Sequence, residues 1–245
     1  ADDILRNADV AMYNSKEAGS ARHTVFEPRM HAAIVDRLEL ESDLRGALER
    51  NELHLMYQPV VALESGRLQG FEALARWSHR ARGELTPQHF IQLAEDTGLI
   101  IEIGRWVLES ACNELSRWHR LAADGAIGLH DELRMGINIA GLQLEHDSFV
   151  QDVAAALESS GAPPDRVVLE LTEGTLMRRT ADTLVRLHAL KALGIQLAID
   201  DFGTGYSSLS YLQRFPIDVL KVDKTFVEGI ARGGGDGALA RTIVA

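Results

Sequence analysis

Short apolar runs of strand length recur along this 245-residue chain, at 54–63, 67–77, 133–140, 166–172, 195–201 and 218–223, and after the first pair helical patterns separate them. Each helical crossover brings the chain back to the same end of the sheet, so the alternation requires a mainly parallel α/β sheet or barrel. The first two runs are joined only through Glu64-Ser65-Gly66. That link is too short for a crossover, so these two strands pair antiparallel. Helices are predicted at 87–96, 100–123, 148–159, 180–193, 207–214 and 224–231, with Gly98, Gly125, Gly161 and Gly194 placed to end four of them. Ahead of the sheet lie a helical pattern at 3–18 and a short strand at 23–26. A connector helix follows from Pro28 to about residue 50, with Ile34, Leu38, Leu44 and Leu48 on its apolar stripe.

Alternate strand residues face opposite sides of a sheet, so the phase of each polar residue carries information. Ile195, Leu197 and Ile199 share one face and Gln196, Ala198 and Asp200 the other. The same split sets Gly136, Asn138 and Ala140 against Met135, Ile137 and Ile139, and Glu170 against Leu169 and Leu171. Glu72 is in phase with Leu74 and Arg76, and Lys221 with Asp223. Five successive strands thus each carry a polar group toward the carboxyl end, at the roughly 30-residue spacing of βα units. In a barrel that rim holds the active site, where Glu72, Asn138, Glu170, Asp200, Asp201 and Asp223 converge.

Carboxylates gathered this way repel one another and raise one another's pKa unless a cation joins them. The chain has one Cys and no clustered His, so its hard oxygen donors suit Mg²⁺ or Mn²⁺ rather than Zn²⁺. Asp200-Asp201 fits either a two-metal site or a cap on the following helix. Arg76 suits a phosphate, or an ion pair with the nearby carboxylates. Lys221 suits a phosphate or the attacking water, and equally an ion pair with the neighbouring carboxylates. The Gly-rich stretch 201–208 lacks the Lys of a P-loop, which excludes a nucleoside triphosphate cradle of that kind.

With 25 basic and 36 acidic residues the net charge is -11, which opposes nonspecific binding to DNA or an anionic membrane. No apolar run approaches the roughly 20 residues of a membrane span. The lone Cys112 has no internal disulfide partner, which points to a reducing compartment. The chain opens at Ala1-Asp2-Asp3 and stops inside an apolar helical run, so it is expected to be a segment of a longer protein.

These residues carry a resemblance. Tyr57-Gln58-Pro59, Glu72-Ala73-Leu74-Ala75-Arg76-Trp77, Phe90-Ile91 with Ala94-Glu95, Asn138, Glu170-Leu171-Thr172-Glu173, Asp200-Asp201-Phe202-Gly203-Thr204-Gly205 and Lys221-Val222-Asp223 occur in the order of the EAL family of cyclic di-GMP phosphodiesterases. The resemblance implies a modified (β/α)8 TIM-like barrel with an antiparallel first strand, here with about six of its eight strands. By the same resemblance Glu72, Asn138, Glu170 and Asp200 hold one metal, and Asp200 and Asp201 contribute to a second. Lys221 positions or activates the water, and Asp223 supports that end of the site. Gln58, Leu74 and Arg76 meet the ligand, while Glu173 steadies the 201–208 loop, which in the family links the site to dimerisation. The implied reaction is hydrolysis of cyclic di-GMP to linear pGpG with Mg²⁺ or Mn²⁺, in a cytoplasmic homodimer.

Residues 1–27 resemble the end of a GGDEF domain, through Ala8-Asp9-Val10-Ala11-Met12-Tyr13, Lys16 and Gly19. The expected organisation is therefore a GGDEF tail at 1–27, a connector at 28–52 and a phosphodiesterase domain at 53–245, with further GGDEF or sensory domains, and any membrane anchor, upstream. The family's last two strands, with a Glu-rich and a Gln-Gly motif, are missing from the sequence, so this segment alone is expected to be inactive and prone to aggregate. Ala140 replaces a frequent Ser. A noncatalytic cyclic di-GMP receptor is the competing reading; such receptors usually lose metal ligands, whereas Glu72, Asn138, Glu170, Asp200 and Asp201 are all retained here.

Overall fold

The computed structural model describes Met12 and residues 25–125, 132–176, 180–203 and 214–224. The predicted helices at 3–18, 207–214 and 224–231 lie outside these apart from Met12, Arg214 and Lys224, as do the GGDEF-like motif residues other than Met12. Of the predicted strand at 23–26, Val25 and Phe26 are described and belong to no strand.

Helix α1 (Pro28–Arg45) begins on a proline, whose missing N–H costs nothing in a first helical turn. It ends five residues earlier than its apolar pattern suggests. Arg50 turns back, donates to the Asp43 carbonyl at 2.5 Å and fills the space beside Gly46, where a Cβ would displace the guanidinium. Asn51 completes the reversal with φ 54°. The predicted stripe is also rotated: Leu38 is exposed, while Leu40 packs inward with Leu44 and Leu48.

Strands β1 (Leu53–Val61) and β2 (Leu68–His79) form the expected antiparallel hairpin, and β3 (Gly83–Leu85), not predicted, pairs back onto the end of β2. Helices α2 (Pro87–Thr97) and α3 (Ile100–Ala123) lead to β4 (Arg134–Ile139). Then come α4 (Gly141–Glu145), α5 (Phe149–Ser160), a 3-10 turn at Pro164–Arg166, β5 (Val167–Thr172), α6 (Glu173–Leu176), α7 (Thr180–Ala192), β6 (Gln196–Phe202) and β7 (Val219–Val222). The sheet order is β1-β2-β4-β5-β6-β7, with every neighbour after the hairpin parallel. No helix among the described residues is long and apolar enough to cross a membrane.

The predicted phase assignments place the core. Ala73, Met135, Ile137, Leu169, Leu171, Leu197 and Ile199 face α3, α5 and α7 in one apolar cluster. Cys112 lies within it, and burial pushes its thiol up to about 12, so it is inert at neutral pH. Short helix α4 escaped prediction because it is held by a single buried side chain. Gln143 fills the space left by Gly104 and accepts from the Ala140 N–H at 3.0 Å.

A second cluster joins the end of α1 to the hairpin and α2, with Trp77 and Phe90 fully buried. Its polar rim is satisfied throughout. Glu52 accepts from Trp77 Nε1 at 3.2 Å, Arg50 Nε at 2.8 Å and Arg80 Nε at 2.6 Å. His79 Nδ1 accepts from the backbone of Ala81 and Arg82, which leaves Nε2 to donate to Asp43 at 3.0 Å. Arg37 and Arg82 pair with Asp96 and Asp36, adding two further links between α1 and the sheet domain.

Hydrogen bonding from Arg50, and then from Arg80 and Trp77, outweighs burial and holds the Glu52 carboxyl down at about 2. An unfolded Glu titrates near ~4.3. The stability that Glu52 contributes is therefore present above that value and lost as pH falls toward about 2. Glu52→Gln is expected to unfold at lower urea than the parent at pH 6, with the gap closing on acidification; a gap unchanged by pH would refute the ion-pair account.

Candidate metal and active site

The interior face of the sheet carries a column of facing pairs near the carboxyl ends of its parallel strands. Glu72 on β2 is in register with Gly136 on β4, Asn138 with Glu170 on β5, and Thr172 with Asp200 on β6. Glu72 is mid-strand rather than terminal, because β2 runs on to pair with β3. Gly136 makes the convergence possible: a Cβ there would overlap Glu170 Oε1 and stand 3.7 Å from the Glu72 Cα. The sequence signal for this was a residue without a side chain in the interior phase, two positions before Asn138, and its role was not anticipated.

One oxygen from each of Glu72, Glu170 and Asp200 lies within 4.8 Å of the other two. Lys221 Nζ stands among them, hydrogen-bonded to Glu170 Oε2, 2.9 Å from Glu72 Oε2 and 3.5 Å from Asp200 Oδ1. Asn138 Nδ2 donates to Glu72 Oε1 at 2.7 Å, holding its amide beside the carboxylates.

Glu170 is buried, and this desolvation raises its carboxyl to about 7; Lys221 opposes the rise, while Glu72 and Asp200 add to it. Burial favours a neutral Lys221 amine, yet Glu170 and Glu72 outweigh it and raise the pKa, so Lys221 is an ammonium at neutral pH. In that form it donates to the carboxylates and neutralises part of their charge. Of the two sequence readings, the ion pair with the neighbouring carboxylates is present.

Asp201 adopts φ 53°, where the β6–β7 register slips between Ile199 and Phe202. A left-handed conformation is costly for a non-Gly residue. Burial first, then the charges of Asp200 and Asp223, raise the Asp201 carboxyl, and it hydrogen-bonds Asp223. Glu173 is buried at the start of α6 and accepts from the Gly203 N–H at 3.3 Å, at the root of the 201–208 loop; the rest of that loop lies outside the described residues.

The predicted ligand-contacting residues lie beside this cluster on β1 and β2. Leu74 and Arg76 continue the Glu72 face of β2, with Arg76 Nη1 donating to the Ala75 carbonyl at 2.8 Å, and Gln58 is exposed on β1 opposite Glu72. A cleft of about 520 Å³ adjoins the same rim, bordered by Glu95, Asp96, Gly141, Leu142, Thr172 and Thr175. Sequence reasoning gave these residues no role, because α2 and α4 reach the rim only through tertiary packing.

The donor set fits a hard divalent cation. Oxygens sharing one Mg²⁺ at roughly 2.1 Å lie at most about 4.2 Å apart. At least two of the three pairs must be cis, about 3.0 Å apart, so closing from the present spacing requires up to about 2 Å of side-chain movement. Protons compete for Glu170, so Mn²⁺ affinity measured calorimetrically is expected to climb about tenfold per pH unit below 7 and level off above it. A flat profile from pH 6 to 8 would remove Glu170 from the ligand set.

The EAL domain family matches residues 41–245. The bifunctional diguanylate cyclase/cyclic di-GMP phosphodiesterase MucR of Pseudomonas aeruginosa is 43% identical over 243 residues, covering 99% of this chain and 34% of that protein. The cyclic di-GMP phosphodiesterase NbdA of the same organism is 39% identical over 244 residues, covering 100% of this chain and 30% of that protein. The chain thus spans about a third of the length of these curated relatives. Among solved structures, the PaMucR phosphodiesterase in complex with c-di-GMP superposes with TM-score 0.77 at 44% identity, covering 84% of this chain and 81% of that one. The EAL enzyme Bd1971, bound to cAMP and cyclic di-GMP, superposes with TM-score 0.81 at 30% identity over 98% of this chain and 61% of that one. The fold is thus shared with solved relatives, and the chain belongs to the EAL domain family.

Proposed function

We propose that this chain supplies the catalytic domain of a cyclic di-GMP phosphodiesterase that yields linear pGpG. The observation that carries the reading is the convergence of Glu72, Glu170 and Asp200 on one point, with Asn138 and Lys221 in contact with them. Glu72, Asn138, Glu170 and Asp200 would hold one Mg²⁺ or Mn²⁺, and Asp200 and Asp201 a second. A cation held there supplies positive charge to the phosphoryl group and acidifies the attacking water.

The chain's own residues do the rest. The Lys221 ammonium steadies the carboxylates and orients the water by donating to it. Asp223, bonded to Asp201, keeps that carboxyl in place. Arg76 binds a phosphate oxygen, Gln58 and Leu74 bound the ligand, and the cleft beside Thr172 has room for a base. Glu173 anchors the following loop by its bond to Gly203. Retention of every ligand in the cluster supports hydrolysis over binding alone.

Residues 1–27 would close a GGDEF domain. The support is that the match to MucR, named as both cyclase and phosphodiesterase, covers 99% of this chain, whereas the EAL match begins at residue 41. A cytoplasmic homodimer with regulatory domains upstream completes the reading. The test is chromatographic detection of pGpG from cyclic di-GMP by the full-length protein with Mg²⁺ or Mn²⁺. Product lost on chelation and restored by either metal supports it; binding of cyclic di-GMP without product would assign a receptor.

A further inference from the structure

The opposite mouth of the sheet holds a second polar cavity, of about 210 Å³, at the amino-terminal ends of the parallel strands. Three arginines from three separate segments line it: Arg67 after the β1–β2 turn, Arg134 at the start of β4 and Arg166 just before β5. This is unexpected on a chain with 36 acidic and 25 basic residues, because like charges separate unless something holds them together.

The backbone fixes the arrangement. The turn that presents Arg67 is closed by Ala62 N–H to the Arg67 carbonyl at 2.9 Å and Gly66 N–H to the Ala62 carbonyl at 2.8 Å, with Gly66 at φ 65°. Gly70 lets β2 approach Arg134 so closely that a Cβ would overlap the Arg134 carbonyl. Arg166 donates to the Glu132 carbonyl at 3.3 Å and lies 3.3 Å from Asp165. Among the described residues, neither the Arg67 nor the Arg134 guanidinium has a hydrogen-bonding or carboxylate partner. Ser65 and Gln69 add neutral donors to the wall, and Glu132 is the one carboxylate residue in it among the described residues.

We propose that this amino-terminal cavity binds a small phosphate-bearing anion between Arg67, Arg134 and Arg166. Unpaired guanidiniums present planar donor forks that match phosphate oxygens, and the cavity has room for a phosphate or diphosphate group. The cavity lies below the acidic column and adjoins it: Gln69 and Arg134 also line a narrower space of about 160 Å³ that reaches Gly136, Glu170 and Lys221. Arg134 lies four residues before Asn138 on the same face of β4, roughly 13 Å down the strand.

The experiment is calorimetric titration of the full-length protein with inorganic pyrophosphate in metal-free buffer, where the carboxylate rim repels anions. Saturable binding is expected, weakened at least about tenfold by Arg67→Gln and by Arg134→Gln, the loss expected for one charge-assisted contact. Arg76→Gln, on the far rim, should leave it unchanged. Both cavity arginines are solvent-exposed, and unchanged Mn²⁺ affinity in each variant would confirm folding. Guanosine diphosphate forms a second arm: binding of pyrophosphate assigns a free anion, and binding of the nucleotide alone assigns a nucleotide phosphate. Absence of both, or binding lost in Arg76→Gln but retained in Arg134→Gln, overturns the proposal.

Discussion

Glu72→Gln in the full-length protein is expected to lower cyclic di-GMP hydrolysis by at least about a thousandfold, and to weaken Mn²⁺ binding by about a hundredfold or more. The substitution keeps the side chain's volume and removes its charge. Asn138 loses its charged acceptor and Lys221 one of three carboxylate neighbours, while Glu170 and Asp200 remain. Repulsion between Glu72 and Glu170 is relieved at the same time, so thermal stability without metal should change by no more than about 1 kcal/mol. Steady-state rates, Mn²⁺ calorimetry and melting in chelator check the three parts. Loss of activity with metal affinity intact would place Glu72 outside the metal site.

The second large effect concerns stability. Trp77→Ala is expected to cost about 3–5 kcal/mol, the range for deleting a buried aromatic. Trp77 is fully buried on β2, its ring edge-on to Phe90 at 5.9 Å and to His79 at 4.8 Å, with its N–H on Glu52. Deletion opens a cavity between the sheet and α2 and removes a donor from a buried carboxylate. In a domain of this size the melting temperature should fall by roughly 10 °C or more. Trp77→Phe should recover most of the packing but not the bond to Glu52. A loss below about 1 kcal/mol for Trp77→Ala would mean that this cluster relaxes around the gap.

What could be read from the sequence is what depends on period. Phase within strands identified Asn138, Glu170 and Asp200 as inward-facing before any contact was known, because strand residues alternate regardless of their neighbours. The hairpin was legible because three residues cannot make a crossover. Features that rest on one tertiary contact were not legible. The end of α1 is set by Arg50 folding back, α4 by Gln143 entering the space beside Gly104, and β3 by an edge that β2 offers only after folding. Lys221 fell between these cases, since its phase was clear but its protonation depends on Glu170 and Glu72 across the sheet. Family resemblance supplied roles for Gln58, Leu74 and Glu173 that spacing alone could not.

Strand β2 is braced unevenly. Its pairing with β4 covers only Gly70 to Ala73, and β3 pairs with it from Trp77 onward, whereas β1 is in register with it from Leu68 to Trp77. Glu72 is therefore clamped on both edges, but Leu74, Ala75 and Arg76 form a cantilever supported by β1 alone. Loosening of β1 reaches Arg76 before it reaches Glu72. The proposed grip of Arg76 on phosphate and the proposed hold of Glu72 on metal, although one strand carries both, can consequently slacken at different thresholds, and amide exchange along β2 would show the step between Ala73 and Leu74.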